Sequence, residues 1–260
     1  MNLLPLQVPL RKPGLFITAT DTGVGKTVVT STIAWHLRQS GLRVAVCKPM
    51  ATGCRRDREG LVSEDAEAIA HFSDCRQLLD VINPVRYTLP VAPAVAAEKA
   101  GEEIDFAAIA RSLSVLDDWG DVQIVEGVGG LMVPISARNP QITVLDLAAA
   151  IGYPVLVVVR AGLGTLSHTM MTVTLLRQRG LRLAGLVING YVVDPGSEPE
   201  DISMVTNRQW LEKMTGLPVL ATLPRCAPQD VRPELGIISQ EVLSAAGLVR
   251  WQDYLLPARP

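Results

Sequence analysis

The chain lacks the cysteine and histidine patterns of metal-binding and disulfide-stabilised proteins. Its 260 residues include only three histidines, His36, His71 and His168, and four cysteines, Cys47, Cys54, Cys75 and Cys226. The cysteines form no C-x-x-C pair and have no ligand spacing with the histidines, which argues against a zinc site. We therefore expect free thiols in a reducing compartment.

Long runs of one charge or of apolar residues are also missing. With 24 basic and 26 acidic residues the net charge is −2, and the densest basic cluster, Arg55–Arg58, is mixed with acidic residues and reads as a solvated loop. This predicts no nucleic-acid partner. No stretch approaches the twenty apolar residues of a membrane span. Met1–Lys12 carries its charge only at its end, which inverts the order of a secretory signal. A soluble cytoplasmic protein is expected.

What the chain does contain is 48% hydrophobic residues, arranged as alternating strand-like and helix-like segments. Apolar, β-branched runs predict strands at Leu15–Thr20, Arg43–Cys47, Val122–Glu126, Val155–Arg160, Ala184–Asn189 and Val219–Thr222. Helical periodicity predicts helices at Thr27–Gln39, Glu64–Phe72, Asp105–Asp118, Thr143–Ala150, Thr165–Arg179, Asp201–Thr215 and Ser239–Ala246. The pattern indicates a doubly wound α/β fold, a mainly parallel sheet with helices on both faces.

The domain organisation follows from the extent of this pattern. Residues 13–260 are predicted to form a single domain, and residues 1–12 an N-terminal extension that can be disordered. Proline-rich Asn83–Gly101 is predicted to be a loop leading into a short helix, and Tyr191–Glu200 a turn-rich connection.

A phosphate-binding loop is predicted at Thr20-Asp21-Thr22-Gly23-Val24-Gly25-Lys26-Thr27, between the first strand and the first helix. Gly25 allows close approach of the backbone, Lys26 reaches the β- and γ-phosphates, and the Thr27 hydroxyl is placed to ligate magnesium. The usual first glycine of G-x-x-x-x-G-K-[ST] is replaced by Thr20. Strand, loop and helix together indicate a P-loop nucleotide-binding protein.

Other polar residues follow the remaining strands, where ligands bind in such sheets. Lys48 directly follows the second strand and is predicted to face the transferring phosphate, while Glu126 ends the third and is predicted to support magnesium. Asp65 is open to two interpretations, a second metal-supporting carboxylate or a charge favourable to a helix start, and the local sequence favours the latter. Thr52 and Gly53 could contact a substrate or form a turn, and the neighbouring sequence does not distinguish these two roles.

Five motifs in order resemble those of ATP-dependent dethiobiotin synthetases. They are Ala19–Thr27, Cys47-Lys48-Pro49-Met50-Ala51-Thr52-Gly53, Glu64-Asp65-Ala66, Val125-Glu126-Gly127-Val128-Gly129-Gly130 and Ala184-Gly185-Leu186-Val187-Ile188-Asn189. The resemblance runs from about Leu15 to about Pro224. It implies a ligase that uses MgATP, CO₂ and 7,8-diaminononanoate to make dethiobiotin, ADP and phosphate through a carbamic–phosphoric anhydride.

The resemblance also implies roles for residues at matching positions. Lys26, Lys48 and Thr22 would act in catalysis, and Thr27, Asp65 and Glu126 would hold magnesium. The nucleotide would be bound by Gly23, Val24, Gly25, Lys26, Thr27, Asp65, Glu126, Gly127, Val128, Gly129, Asn189, Leu223, Pro224 and Arg225, with the last four near adenine. The substrates would contact Thr22, Lys48, Thr52, Gly129 and Gly130. A homodimer is implied, with Gly162–His168 near the interface.

The sequence departs from the family at three places: Ala19 stands where glycine is frequent, Gly23 where glutamate is frequent, and Pro93–Ala96 lacks a histidine that some members carry. Two other P-loop classes remain as alternatives. Nucleotide-switched partitioning or metal-delivery ATPases carry a lysine where Asp21 stands. A corrinoid amide-forming synthetase would need a glutaminase domain, and only 71 residues follow Asn189.

Overall fold

The computed structural model describes Leu4, Leu6 and residues 8–58, 60–192 and 202–259. Its main feature is a six-stranded sheet in the order β10-β9-β8-β1-β7-β2, with every neighbouring pair parallel. The strands of this sheet are β1 (Gly14–Ala19), β2 (Val44–Cys47), β7 (Val122–Gly130), β8 (Val155–Arg160), β9 (Leu183–Tyr191) and β10 (Val219–Pro224). All residues of β1 and β2 are buried. Since side chains alternate between faces, both faces of the sheet are covered, as the predicted α/β class requires.

Helices connect the strands of the sheet. They are α1 (Lys26–Gln39), α2 (Glu64–Ser73), α3 (Leu79–Ile82), α4 (Pro93–Ala100), α5 (Phe106–Trp119), α6 (Val144–Ile151), α7 (Thr165–Gln178), α8 (Ile202–Thr215) and α9 (Gln240–Ala246). The seven predicted helices are confirmed to within about two residues, and α4 is the short helix expected before Gly101. No helix in the described ranges combines the length and apolarity of a membrane-crossing segment.

Three pairs of short strands lie outside the main sheet: β3 (Met50–Ala51) with β6 (Val85–Arg86), β4 (Arg55–Asp57) with β5 (Gly60–Val62), and β11 (Val231–Arg232) with β12 (Ile237–Ile238). The basic cluster predicted as a solvated loop therefore lies in a small antiparallel hairpin, whose first strand is fully exposed. Beyond Val192, the predicted connection to Glu200 falls outside the described residues.

β7 is longer than predicted, because it continues for four residues past Glu126. Gly130 pairs with Ala19, after a register shift in β1 that follows the pairing of Ile17 with Glu126. The glycine-rich segment after Glu126 is thus extended backbone beside the start of the phosphate loop. This register places the ends of β1 and β7 at one edge of the sheet, with Lys48 immediately after β2 on the other side of β7.

The described residues near both termini pack against the domain. Leu4, Leu6 and Leu10 are buried, and the backbone N–H groups of Arg11 and Lys12 donate to the buried carboxylate of Asp117 at 2.8–3.1 Å. Near the other end of the chain, Leu256 forms an antiparallel bridge to Gly14 at the start of β1.

Candidate active site

The phosphate loop connects β1 to α1, with Gly25 immediately before the helix. Gly25 has a φ of +95°, a left-handed conformation that glycine adopts without a steric penalty. A Cβ at this position would lie 2.0 Å from Asn189 Nδ2, the atom that donates a hydrogen bond to the Val24 carbonyl at 2.8 Å. Glycine is therefore required both by backbone conformation and by the approach of Asn189 from the end of β9.

Lys26 begins α1 and is buried, with its ammonium directed across the loop. Its Nζ donates to the Gly129 carbonyl at 2.8 Å and to the Asp21 carbonyl at 3.3 Å. Burial, followed by repulsion from Lys48, lowers the pKa of Lys26 to about 8. An anion bound in the loop would favour the charged form of Lys26, because an opposite charge nearby raises the pKa of an ammonium group.

A second cluster joins Thr27, Lys48, Asp65 and Glu126. Lys48 Nζ lies 2.6 Å from Glu126 Oε1 and 2.8 Å from Asp65 Oδ2. The Thr27 hydroxyl is 2.7 Å from Asp65 Oδ1 and 3.0 Å from Glu126 Oε1, so its proton can be donated to either carboxylate. Side chains from β7, the segment after β2 and the starts of α1 and α2 therefore meet at one point.

The charges within this cluster stabilise one another. Burial opposes the charge of Lys48, but Asp65 and Glu126 outweigh it and raise the pKa of Lys48 above its ordinary value. Attraction to Lys48 in turn lowers the pKa of Asp65, against the effect of its own burial. At neutral pH the cluster holds a charged lysine and an ionised Asp65.

The oxygen atoms of this cluster fit a magnesium ion bound together with a polyphosphate. Glu126 Oε2 is buried and has no hydrogen-bond partner among the described residues, so it has unused coordinating capacity. The described residues contain no group of three or more His, Cys, Asp or Glu side chains suited to a metal. Magnesium is usually held by one or two carboxylates with water and substrate phosphates, which is the donor set available beside the Thr27 hydroxyl.

These groups line a cavity of about 350 Å³ at the carboxyl edge of the sheet. Its walls are formed by Thr22, Gly23, Gly25, Lys26, Thr27, Lys48, Ala51, Thr52, Asp65, Val128 and Gly129. The structure thus brings both lysines, Thr27, Asp65, Thr22 and Thr52 to a single space. Glu126, the third predicted metal-supporting residue, is buried directly behind Thr27 and Lys48. Gly129, with a φ of +58°, is close-packed there, since a Cβ would meet Val133 at 2.7 Å.

The other residues predicted for the site lie around this cavity. The Gly127 carbonyl accepts a 3.3 Å hydrogen bond from Lys48, and Gly130 pairs with Ala19 at the base of the loop. Val24 is buried behind the loop. Asn189, Leu223, Pro224 and Arg225 cluster at the ends of β9 and β10, where Leu223 pairs with Asn189 and the Arg225 N–H donates to the Tyr191 carbonyl at 2.7 Å. Leu223 is itself buried, which leaves mainly its backbone for a ligand.

Several residues that shape the site were not predicted. The Ser63 hydroxyl accepts a hydrogen bond from Ala66 N at the start of α2 and so aligns the turn that carries Asp65. A serine directly before a helix is a recognisable cap, and this signal was available in the sequence. The buried Asn83 amide donates to the Lys48 carbonyl at 2.6 Å, and Ala51 lines the cavity. Asn83 has no local sequence signature, whereas Ala51 lies within the Cys47–Gly53 motif but was assigned no role there.

A second cavity, of about 410 Å³, lies on the other side of the phosphate loop. It is lined by Thr20, Asp21, Gly130, Leu131, Met132, Val133, Pro134, His168, Met171, Thr172 and Leu175. Met132 and Met171 are more than half exposed, and nearby in the chain Leu163 is 89% exposed. His168 lies in the first turn of α7, as predicted, and on this surface rather than in the lysine–carboxylate cluster.

Comparison with solved structures supports the fold. The chain resembles a chain of the MinC:MinD cell division protein complex of Aquifex aeolicus, with a TM-score of 0.56 and 15% identity over 95% of this chain and 99% of that one. A ParA family ATPase from Chlorobium tepidum gives a TM-score of 0.51 and 16% identity, covering 94% and 97% of the two chains. At these identities the likeness concerns the P-loop fold alone.

Sequence comparisons are more specific. The model of an AAA domain family, AAA_26, matches residues 13–230. A protein of Anaeromyxobacter sp. (strain K), named ATP-dependent dethiobiotin synthetase BioD, is 41% identical over 82% of this chain and 94% of its own length. A protein of Mycobacteroides abscessus with the same name is 36% identical over 90% of this chain and 98% of its own. The chain therefore belongs to the family of ATP-dependent dethiobiotin synthetases, which are ligases of biotin biosynthesis.

Proposed function

We propose that this ATP-dependent ligase joins CO₂ to 7,8-diaminononanoate and closes the cyclic urea of dethiobiotin, releasing ADP and phosphate. The proposal rests on one observation: Lys26, Lys48, Thr22 and Thr52 all line the same cavity. Two cations beside a phosphate loop suit a transferring phosphoryl group, and hydroxyl groups suit an amine and a carbamate.

The proposed reaction has three steps. One substrate amine attacks CO₂ and loses a proton, giving a carbamate. A carbamate oxygen then attacks the γ-phosphorus of ATP, the bond to the bridging oxygen breaks, and ADP leaves. Finally the neighbouring amine attacks the carbonyl carbon of the carbamic–phosphoric anhydride, phosphate departs with the bonding electrons, and loss of a proton leaves the cyclic urea.

The side chains contribute mainly position and charge. Phosphoryl transfer needs little covalent chemistry from a protein, so alignment and neutralisation of developing charge supply most of the rate. Lys26 and Lys48 would stabilise negative charge on the transferring group from two sides. Thr22 would contact the carbamate and phosphate region, Thr52 the amine end of the substrate, and the backbone of Gly129 and Gly130 would line the remaining wall.

Magnesium would be held by Thr27, Asp65 and Glu126 together with phosphate oxygens. When bound, the ion supplies charge that offsets the γ-phosphate oxygens during transfer. The buried, unpartnered Glu126 Oε2 and the adjacent Thr27 hydroxyl support this assignment. The ammonium of Lys48 pairs with the other Glu126 oxygen, Oε1, and with Asp65 Oδ2, and would hold both carboxylates in place.

The base of ATP would lie toward the ends of β9 and β10. Asn189 is already hydrogen-bonded to the phosphate loop through Val24, and Leu223, Pro224 and Arg225 follow on the neighbouring strand. A nucleotide with its phosphates on the Gly23–Thr27 amides would extend across the loop in this direction. The backbone of Gly127 and the side chain of Val128 would complete the nucleotide site beside Glu126.

We further propose a cytoplasmic homodimer. The second cavity and the exposed side chains of Met132 and Met171 form an apolar surface beside the site, and large exposed apolar patches commonly mark interfaces. The segment Gly162–His168 adjoins this surface. All four cysteines lie in the described part of the chain as free thiols, which suits a reducing compartment.

The test is a paired measurement of phosphate and product. Phosphate release from MgATP and bicarbonate is measured with and without 7,8-diaminononanoate, while dethiobiotin is followed by mass spectrometry. We expect release that depends on the diamine, with one dethiobiotin formed per phosphate. Slow release that ignores the diamine, with no dethiobiotin, would overturn the proposal.

A further inference from the structure

Arg160 is the last residue of β8 and differs from the rest of that strand. The five preceding residues are buried, whereas the Arg160 side chain is 58% exposed. β8 lies beside β1, and the Val158 carbonyl accepts a hydrogen bond from Thr20 N at 3.1 Å. The end of β8 is therefore fixed against the first residue of the phosphate loop, with Arg160 two positions further on.

The Arg160 guanidinium contacts both residues that follow Thr20. It donates to the Thr22 carbonyl at 3.1 Å and lies 3.6 Å from Asp21 Oδ2. The other carboxylate oxygen of Asp21 accepts a 2.7 Å hydrogen bond from Thr22 N, and the Asp21 carbonyl faces Lys26 Nζ. Asp21 and Thr22 form the wall between the two cavities, since Asp21 lines one and Thr22 the other.

The negative charge of Asp21 opposes nucleotide binding, and the positive charge of Arg160 offsets it. A carboxylate in a phosphate-binding loop repels the polyphosphate that the loop must accept, and opposite charge nearby offsets that repulsion. Arg160 is the basic group that faces the Asp21 carboxylate from β8, whereas the hydrogen bond from Lys26 goes to the Asp21 carbonyl. The same guanidinium anchors the Thr22 carbonyl, so that it acts on loop charge and on loop geometry together.

We propose that Arg160 is a positioning residue of this enzyme, which neutralises Asp21 for nucleotide binding and holds Thr22 in place for phosphoryl transfer. The second part rests on the proposed role of Thr22. The first part needs only the ATP dependence of the family. The two parts give separate signals, because the charge of Asp21 affects ATP affinity whereas the position of Thr22 affects turnover.

The experiment compares Arg160→Ala, Arg160→Lys, Asp21→Asn and the Arg160→Ala/Asp21→Asn double variant. ATP affinity is measured by calorimetry at low and high salt, and turnover by phosphate release. For Arg160→Ala we expect ATP affinity to fall about fivefold at low salt, and less at high salt, because exposed charges are screened. The double variant should bind ATP within about twofold of Asp21→Asn, because the carboxylate that needs neutralising is gone.

Turnover should behave differently from affinity. It should fall about tenfold in Arg160→Ala and stay low in the double variant, because Thr22 is still unanchored, while Arg160→Lys should recover much of it. Arg111→Ala is the matched control. It removes an exposed arginine of α5 that lies 3.5 Å from Asp105, and it should change neither ATP affinity nor turnover.

Equal loss of ATP affinity in Arg160→Ala and the double variant would overturn the charge role. If adding Asp21→Asn to Arg160→Ala restored turnover fully, the positioning role would be overturned. If the unmodified enzyme shows no response to the diamine, the proposed reaction fails, while the calorimetry still decides the role of Arg160 in ATP binding.

Discussion

Lys48 and Glu126 form a buried ion pair, with Nζ 2.6 Å from Oε1 and side chains that are 3% and 0% exposed. The pair arises from strand register, because Cys47 at the end of β2 pairs with Val125 in β7. The residue after each member of that pair therefore brings its charge to the same edge of the sheet. Removing one member of a buried pair of this kind is strongly destabilising, because the other is left buried without its ion-pair partner.

Lys48→Ala should lower turnover much more than ATP affinity. One charge contact to a developing transition state is commonly worth about 3 kcal/mol, so turnover should fall by about 10² or more. The variant should also lose about 3 kcal/mol of unfolding free energy, because Glu126 remains buried without its partner. Phosphate release, calorimetry with ATP and thermal unfolding measure the three effects. Near-normal turnover in a folded variant would remove Lys48 from the mechanism.

Glu126→Gln should raise the magnesium concentration required for half-maximal activity. An amide keeps the shape of the carboxylate but loses its charge, and we expect a shift of about tenfold or more. The measurement is phosphate release as a function of magnesium at fixed ATP. Glu67→Gln is the matched control, since Glu67 lies on α2 near Asp65 but pairs with Arg55 on the exposed hairpin. An equal magnesium response in both variants would contradict the assignment.

The sequence predicted the main strands and helices well because each is long and strongly periodic. Register and strand order depend on distant pairings, so the continuation of β7 to Gly130 had no local signal. Asp65 illustrates the same limit. Its local sequence favours a helix-start charge, and it does lie in the first turn of α2. The packing of α2 against α1 brings its carboxylate to Thr27 and Lys48, a contact that local sequence does not record.

The roles of individual residues depended more on resemblance than on local pattern. Thr52 was undecided from its neighbours, and the structure places it on the wall of the cavity. Arg160 was read only as the end of a strand, since one arginine after a run of valines carries no signature. Its contacts with Asp21 and Thr22 depend on β8 lying next to β1, a consequence of strand order.

Nucleotide binding should be accompanied by proton uptake near pH 8.5. With a pKa of about 8, Lys26 is mostly neutral at that pH in the free protein, and bound phosphates would raise its pKa and recharge it. We expect uptake of roughly three quarters of a proton at pH 8.5 and about a tenth at pH 7. Calorimetry in buffers of different ionisation enthalpy measures this quantity.

The matched variant for that measurement is Lys26→Arg. A guanidinium stays protonated throughout this pH range, so any binding that remains should proceed without uptake. Uptake in the unmodified protein that is the same at pH 7 and pH 8.5 would show that Lys26 has an ordinary pKa.

An apolar dimer contact should be sensitive to charge on the surface around the second cavity. Met171→Glu should convert the dimer to monomers, because a carboxylate in an apolar interface loses its hydration without gaining a partner. Leu248→Glu is the control, since Leu248 is 93% exposed just after α9 and is not among the residues that line the second cavity. Light scattering measures both. A monomeric unmodified protein would contradict the homodimer directly.

Gly25→Ala should weaken ATP binding, whereas Gly41→Ala should not. Both glycines have left-handed backbones, with φ of +95° and +86°, so both substitutions carry a penalty of about 1 kcal/mol in stability. Only at Gly25 would the new Cβ collide with Asn189, whereas Gly41 has open space around it. Displacing Asn189 breaks its hydrogen bond to Val24, and a loss of about 1.4 kcal/mol there would already weaken ATP binding tenfold. Equal ATP affinity in the two variants, measured by calorimetry, would mean that the contact between Asn189 and the loop does not support nucleotide binding.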